Sequence, residues 1–179
     1  ATVGDIVDLI DENRIVVKYG LKHIAHTKNT GLRALIEECQ LDINNISSYH
    51  IGFVIGPCLN ASGRLDTARQ AIELMLCMDN EKAHNMAKEL IALNNERKSM
   101  TEQETHKAIE LVENTGLLKD RVLVIYLKDC HESIAGIIAG RIKERYYRPT
   151  FVITNAEDGA KGSGRSIEGY NMYEEINKC

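Results

Sequence analysis

The segment Gly56-Pro57-Cys58-Leu59-Asn60-Ala61-Ser62-Gly63-Arg64-Leu65 contains two side chains suited to holding an anion, the Asn60 amide and the Arg64 guanidinium. Gly56, Pro57 and Gly63 restrict or free the backbone around them, which predicts a tight bend that fixes both side chains. An arginine offers a planar fork of donors that matches a phosphate or carboxylate. A helix–turn–helix corner with a surface arginine accounts for the same residues without any chemistry.

Three further places carry reactive residue types. Lys128-Asp129-Cys130-His131 directly precedes a helical stretch. There His131 stands where free N–H groups and a partial positive charge favour an anion. A capping or packing histidine is the plainer alternative. Gly162-Ser163-Gly164-Arg165-Ser166 sets hydroxyl and guanidinium donors among glycines that let a ligand approach. A bulge or hairpin glycine pair explains it equally, and the spacing is not that of a nucleotide P-loop. Asp5 and Asp8 lie three apart on a predicted helix, so they either share a divalent cation or simply favour the helix's positive end. No Ser/His/Asp or Cys/His set stands at a defensible catalytic spacing.

The elements that must position these residues divide at glycine and proline. Neither residue occurs between Gly63 and Gly116. From Asn80 to Thr115 apolar residues cluster at both ends (Ala83, Met86, Ala87, Leu90, Ile91; Ala108, Ile109, Leu111, Val112), around a polar waist from Asn94 to Glu104. This predicts one helix of roughly 36 residues, on the order of 54 Å long, stopped by Gly116 and crossing solvent between two domains. Upstream the chain reads as all-helical: Val3–Ile10, Glu12–Ile24, Gly31–Cys39, Ser47–Ile55 and Thr67–Met78, with a β-rich run at Arg14–Tyr19. Downstream, Val122–Leu127 reads as a buried strand, Glu132–Tyr146 as a helix, Phe151–Thr154 as a second strand and Ala160–Ser166 as a third. Strand, helix, strand with short loops is a βαβ unit with parallel strands. The fold class is therefore α/β.

Composition bounds the function. The 179 residues, 44% hydrophobic and 27% charged, make one large globular domain or two small ones. No apolar run reaches membrane-spanning length, so no membrane partner is expected. Residues 1–10 do not read as a signal peptide. Five scattered cysteines, odd in number and never spaced C-x-x-C, point to reduced thiols in a cytoplasmic protein. A net charge of −4 does not advertise nucleic-acid binding, though a local groove suffices for it. The basic run Arg141–Arg148 reads as a solvated helix end.

In order along the chain, these segments resemble the RecJ family of single-strand-specific exonucleases, within the DHH phosphoesterase superfamily. Thr2–Leu9 and Glu12–Lys22 take part. Residues 56–65 look like the family's Gly-Pro-Arg-Leu-Asn-Ala-Ala-Gly-Arg segment. Leu93–Arg97 is similar to the polar waist of the interdomain helix, His131–Ala139 to the His-x-Gly-Val-x-Gly-Ile-Val-Ala motif, and Lys161–Ser166 to the Gly-Ser-x-Arg-Ser motif. Five ordered motifs are far more specific than any one alone. The resemblance implies residues 1–79 as the helical C-terminal part of a DHH catalytic domain and 80–116 as the connecting helix. Residues 117–179 would be part of a DHH-associated, substrate-binding α/β domain.

The resemblance further implies a metal-dependent 5′-to-3′ exonuclease of single-stranded DNA that acts in recombination and repair. Two Mn²⁺ or Mg²⁺ ions would activate water, and single-strand-binding protein and a helicase would be partners. Carried over by position, Asp5 is a catalytic metal-binding aspartate. Asn60, Arg64, His131, Ser163, Arg165 and Ser166 contact nucleic acid or phosphate, with residues 56–65 on one wall of a cleft and His131 and Arg165 on the other. Asp8 falls where the family commonly has Pro. The Asp-x-Asp, Asp-His-His and Gly-Gly-His motifs would fall outside these residues, so the chain reads as an internal fragment expected to be inactive alone. Cys58 stands where Arg is frequent, and Ser133 where Gly is common. An oligoribonuclease or cyclic-dinucleotide phosphodiesterase of the same superfamily is one alternative. A non-catalytic nucleic-acid-binding module is another.

Overall fold

A computed structural model describes residues 2–4, 7–65, 68–157 and 159–178. The chain forms two compact units, residues 1–96 and 97–179.

The first unit is helical. Helix α1 (Asp11–Ile24) absorbs the β-rich run. Asp11 and Glu12 in its first turn, and Lys22 and His23 in its last, complement the helix dipole. Helix α2 (Thr30–Glu38) is capped by Asn29, whose Oδ1 accepts from the Leu32 N–H at 2.7 Å. The Asn29 Nδ2 donates to Met75 O at 2.8 Å, tying this cap to the end of α5 (Arg69–Leu76). Next to it Gly31 lies so close to α5 that an added Cβ would stand 1.9 Å from Leu74 O.

Helix α3 (Ser48–His50) runs into a π-helical stretch, Ile51–Ile55, and then into α4 (Gly56–Leu65). Residues 56–65 are thus helix, not the tight bend predicted. The wide turn accommodates the glycine and proline. Gly56 donates its N–H back to Ile51 O, and a Cβ on Gly56 would sit 2.7 Å from that oxygen. Pro57, lacking an N–H, follows where the regular ladder is already offset. The predicted helix Val3–Ile10 does not form either. Thr2–Gly4 is a turn and Val7–Ile10 is irregular. Ile10 is extended and Asp11 has φ 44°, which breaks any continuity into α1. The predicted pairing of Asp5 with Asp8 on one helical face therefore loses its basis, and Asp5 itself lies outside the described residues.

Helix α6 (Asn80–Asn114) contributes to both units. Ala83, Ala87 and Leu90 join Leu35, Ile36, Ile55 and Leu74 in the first core. Ala108 and Val112 join the second. The polar waist does not simply cross water: Asn94 and Thr101 are only 3% and 0% exposed. Asn94 Nδ2 donates to Cys58 Sγ at 3.5 Å. Thr101 and Thr105 satisfy their hydroxyls on the carbonyls of Arg97 (2.7 Å) and Thr101 (2.6 Å), one turn back along the helix. Gly116, at φ 79°, ends the helix in the left-handed conformation.

The second unit is the predicted βαβ unit with a hairpin. Strand β1 (Leu123–Tyr126) pairs parallel with β2 (Thr150–Ala156), and β2 pairs antiparallel with β3 (Gly159–Arg165), in the order β1-β2-β3. Helix α7 (Glu132–Tyr146) is the crossover. It buries Ile134, Ile138 and Ile142 against Leu123, Ile125 and Val152. Each such isoleucine contributes on the order of 1.5–3 kcal/mol. A short helix, α8 (Met172–Ile176), follows β3.

The Gly31 contact yields a stability test. Gly31→Ala should lower unfolding free energy by about 2 kcal/mol or more in urea titrations, since backbone must move. Gly20→Ala, on the exposed side of α1 with open space around it, should raise it by up to about 1 kcal/mol.

Candidate nucleic-acid interface

Chain alternation along β3 decides which residues meet. Lys161, Ser163 and Arg165 are two apart, so they share one face of the strand. Their cross-strand partners on β2 are the buried Thr154, Val152 and Thr150, which places that face toward α7. Two contacts mark the alignment. Lys161 Nζ lies 2.8 Å from Glu132 Oε2, and the Arg165 guanidinium lies over Gly136, where an added Cβ would come within 2.8 Å of Nη2. Ser133, Ser163, Glu132 and Lys161 line a groove of about 190 Å³ between strand and helix.

His131 caps α7. Its Nδ1 accepts from the Ser133 N–H at 3.3 Å and lies 2.7 Å from Ser133 Oγ. An Nδ1 that accepts carries no proton, so Nε2–H is the donor of this tautomer. The capping role and an outward donor thus coexist in one residue. The loop that carries His131 is pinned from below: the buried Thr154 hydroxyl donates to Cys130 O, and Leu127 N–H donates to Ile153 O at 2.8 Å. Together the carboxyl ends of β1 and β2 open into a wider concavity of about 660 Å³, lined by His131, Glu132, Asn155 and Lys161 among others. This is the position at which open α/β sheets take ligands.

The other predicted residues fall as follows. Asn60 and Arg64 are one helical turn apart on the exposed side of α4, in the first unit. Cys58 faces the core instead, 3% exposed, so its position is one of packing. Ser166 donates its hydroxyl to Tyr170 O at 2.6 Å and so holds the turn after β3. Gly164 answers to packing as well: an added Cβ would come within 2.8 Å of the Phe151 ring. In the basic run, Arg145 pairs with Glu113 at 3.3 Å and Arg148 donates to Asp120 O at 2.8 Å, so these two cations serve the fold. The structure therefore puts Ser163 and Arg165 on one face of β3, directed toward the helix that His131 caps. Lys161 shares that strand face, and Ser133 lines the groove beside it. The two-residue spacing of Lys161, Ser163 and Arg165 was the signal available for the lysine.

Residues 119–179 match the DHHA1 domain family. Over 181 residues the chain is 38% identical to the single-stranded-DNA-specific exonuclease RecJ of Bacillus subtilis, spanning 99% of this chain and 23% of that protein. With RecJ of Escherichia coli it shares 37% identity over 99% of this chain and 32% of that protein. The chain aligns with a region of RecJ, and residues 119–179 within it match the DHHA1 domain. The crystal structure of RecJ from Thermus thermophilus in complex with Mn²⁺ superposes with a TM-score of 0.86 at 29% identity, covering 98% of this chain and 26% of that one. The Thermus protein has also been solved with Mg²⁺. The chain thus spans 23% to 32% of the length of the Bacillus subtilis and Escherichia coli relatives. Among its described residues, no three His, Cys, Asp or Glu side chains group as metal ligands would. No helix among them is long and apolar enough to cross a membrane.

Cys130 gives this site a measurable signature. It is 4% exposed, and burial, with Glu104 adding and Lys107 partly offsetting, pushes its thiol up to about 11 from 9.0. A raised thiol pKa means the folded state holds the proton more tightly. That contribution is complete below pH 9 and is lost as pH rises to about 11. Urea titrations across this range should show wild type losing stability more steeply than Cys130→Ala, by on the order of 2 kcal/mol.

Proposed function

We propose that this chain is the strand-gripping part of a RecJ-type, metal-dependent 5′-to-3′ exonuclease of single-stranded DNA. The observation that carries the reading is the one-sided display of Lys161, Ser163 and Arg165 beside the N-terminus of α7, where His131 offers Nε2–H. Cations and hydroxyls on one strand face, beside a helix N-terminus, are a donor set that suits a phosphodiester backbone. In this reading Asn60 and Arg64 add donors from α4, and residues 1–79 belong to the catalytic domain, with Asp5 as one metal ligand. The Mn²⁺ or Mg²⁺ ions would supply an activated water and charge stabilisation in the full enzyme. One aspartate cannot hold two such ions, so hydrolysis depends on ligands outside these residues.

Lys161 starts from its ion pair with Glu132, both side chains well exposed, an arrangement of little intrinsic strength. Transfer of the ammonium from carboxylate to phosphate is therefore inexpensive. The resulting grip is electrostatic and falls with salt.

Fluorescence anisotropy with a 5′-phosphorylated oligodeoxythymidylate tests this. Binding should weaken linearly on a log–log salt plot, and Arg165→Ala should reduce the slope by about 0.7. Affinity that does not change with salt sinks the phosphate role of Arg165. Tighter binding of a dinucleotide than of a long strand would instead favour an oligoribonuclease or cyclic-dinucleotide phosphodiesterase. With Mn²⁺ added, the 179-residue chain should leave the strand intact, and 5′-end-dependent degradation would overturn its dependence on further ligands.

A further inference from the structure

Glycine inside a helix is costly relative to alanine, yet α7 carries two, Gly136 and Gly140. Their surroundings differ. An added Cβ at Gly140 meets nothing within 4 Å. At Gly136 it would stand 2.8 Å from Arg165 Nη2, 3.3 Å from Cζ and 3.4 Å from Nη1. The whole guanidinium plane therefore lies against the helix at this one position. Arg165 Nη1 donates to Gly164 O at 2.8 Å, which uses one of the guanidinium N–H groups, and the residue is exposed. The atoms that a methyl group would displace are the flexible end of a side chain, not backbone. A substitution there moves the guanidinium and spares the fold.

We propose that Gly136 is a positioning residue: the missing side chain forms the seat that sets where Arg165 holds its guanidinium, beside Ser163 on the face of β3 that Lys161 also occupies. The consequence for DNA rests on the reading that Arg165 grips a phosphate. The seat itself does not. A fork anchored on one side by Gly164 O and backed by a flat helix surface loses less freedom on meeting a phosphate than a swinging arginine does.

The test compares Gly136→Ala with Gly140→Ala in the 179-residue chain, since both make the same chemical change in the same helix. Both should fold, and Gly140→Ala should raise the melting temperature. The Arg165 Nε–Hε resonance in ¹⁵N NMR, assigned by its loss in Arg165→Ala, should shift in Gly136→Ala and stay in place in Gly140→Ala. An unmoved resonance in Gly136→Ala overturns the proposal. For the 5′-phosphorylated oligodeoxythymidylate, Gly136→Ala should weaken binding by about tenfold and reduce the salt slope by about 0.7, as Arg165→Ala does. Adding it to Arg165→Ala should cost nothing further. A drop in affinity with an unchanged salt slope would mark a merely structural role and overturn the proposal. If Arg165→Ala binds like wild type, the phosphate reading fails, while a shifted resonance still upholds the seat.

Discussion

Helix α6 supplies side chains to two cores, and that double membership constrains most of what surrounds it. Ala83, Ala87 and Leu90 form one stripe, and Ala108 and Val112 another. Small residues dominate both stripes, which lets neighbouring elements come close to the helix axis. Between the stripes the helix turns mostly polar, with Leu93 still packed on the first core and Met100 on the second, and it cannot be carelessly polar, because Asn94 and Thr101 are covered. The solution is internal satisfaction: threonine hydroxyls turn back on their own helix and Asn94 finds a sulfur on α4. Buried polar groups handled this way cost little and keep the helix continuous.

The groove in the second unit follows from a similar economy. A single buried hydroxyl, that of Thr154, joins the end of β2 to the loop leading into α7, and this sets the height at which His131 caps the helix. The antiparallel return of β3 then sets which side of the sheet its alternate residues occupy. Once the register Val152↔Ser163 is fixed, Lys161 and Arg165 have no choice of face. The donor cluster is thus a product of strand pairing and one hydrogen bond, and the groove inherits the rigidity of the core beneath it.

Much of this was legible in the residues. The 35-residue helix, its glycine stop and the βαβ unit followed from apolar periodicity and the absence of proline, signals that long elements express strongly. His131 at a helix start and Arg165 near a strand end were visible because both are local. The misses were of two kinds. Around Asp11 a positive φ interrupts what reads as continuous helix, and no residue type announces it. At residues 51–57 glycine and proline suggested a bend. The Gly56 N–H instead donates to Ile51 O, one residue further back than an α-helix would use, and hydrogen-bond offsets of that sort leave no pattern in composition. The seat at Gly136 depends on a side chain 29 positions away, which no local reading reaches.

The π-helical stretch carries a consequence for how segments like this can change over time. It acts as a phase insert: one surplus residue is absorbed before α4 begins. Each residue of an α-helix turns the chain by about 100°. Losing a single position between Ile51 and Ile55 would restore regular winding there and, because the wide turn had taken up the extra residue, leave α4 facing much as it does now. Cys58 would still face the core and Arg64 would still face outward. The same loss inside α4 has no wide turn to take it up and would re-aim every later residue by roughly 100°. Residues 51–55 thus behave as slack in the reading frame of α4, tolerant of a one-residue change that α4 itself is not.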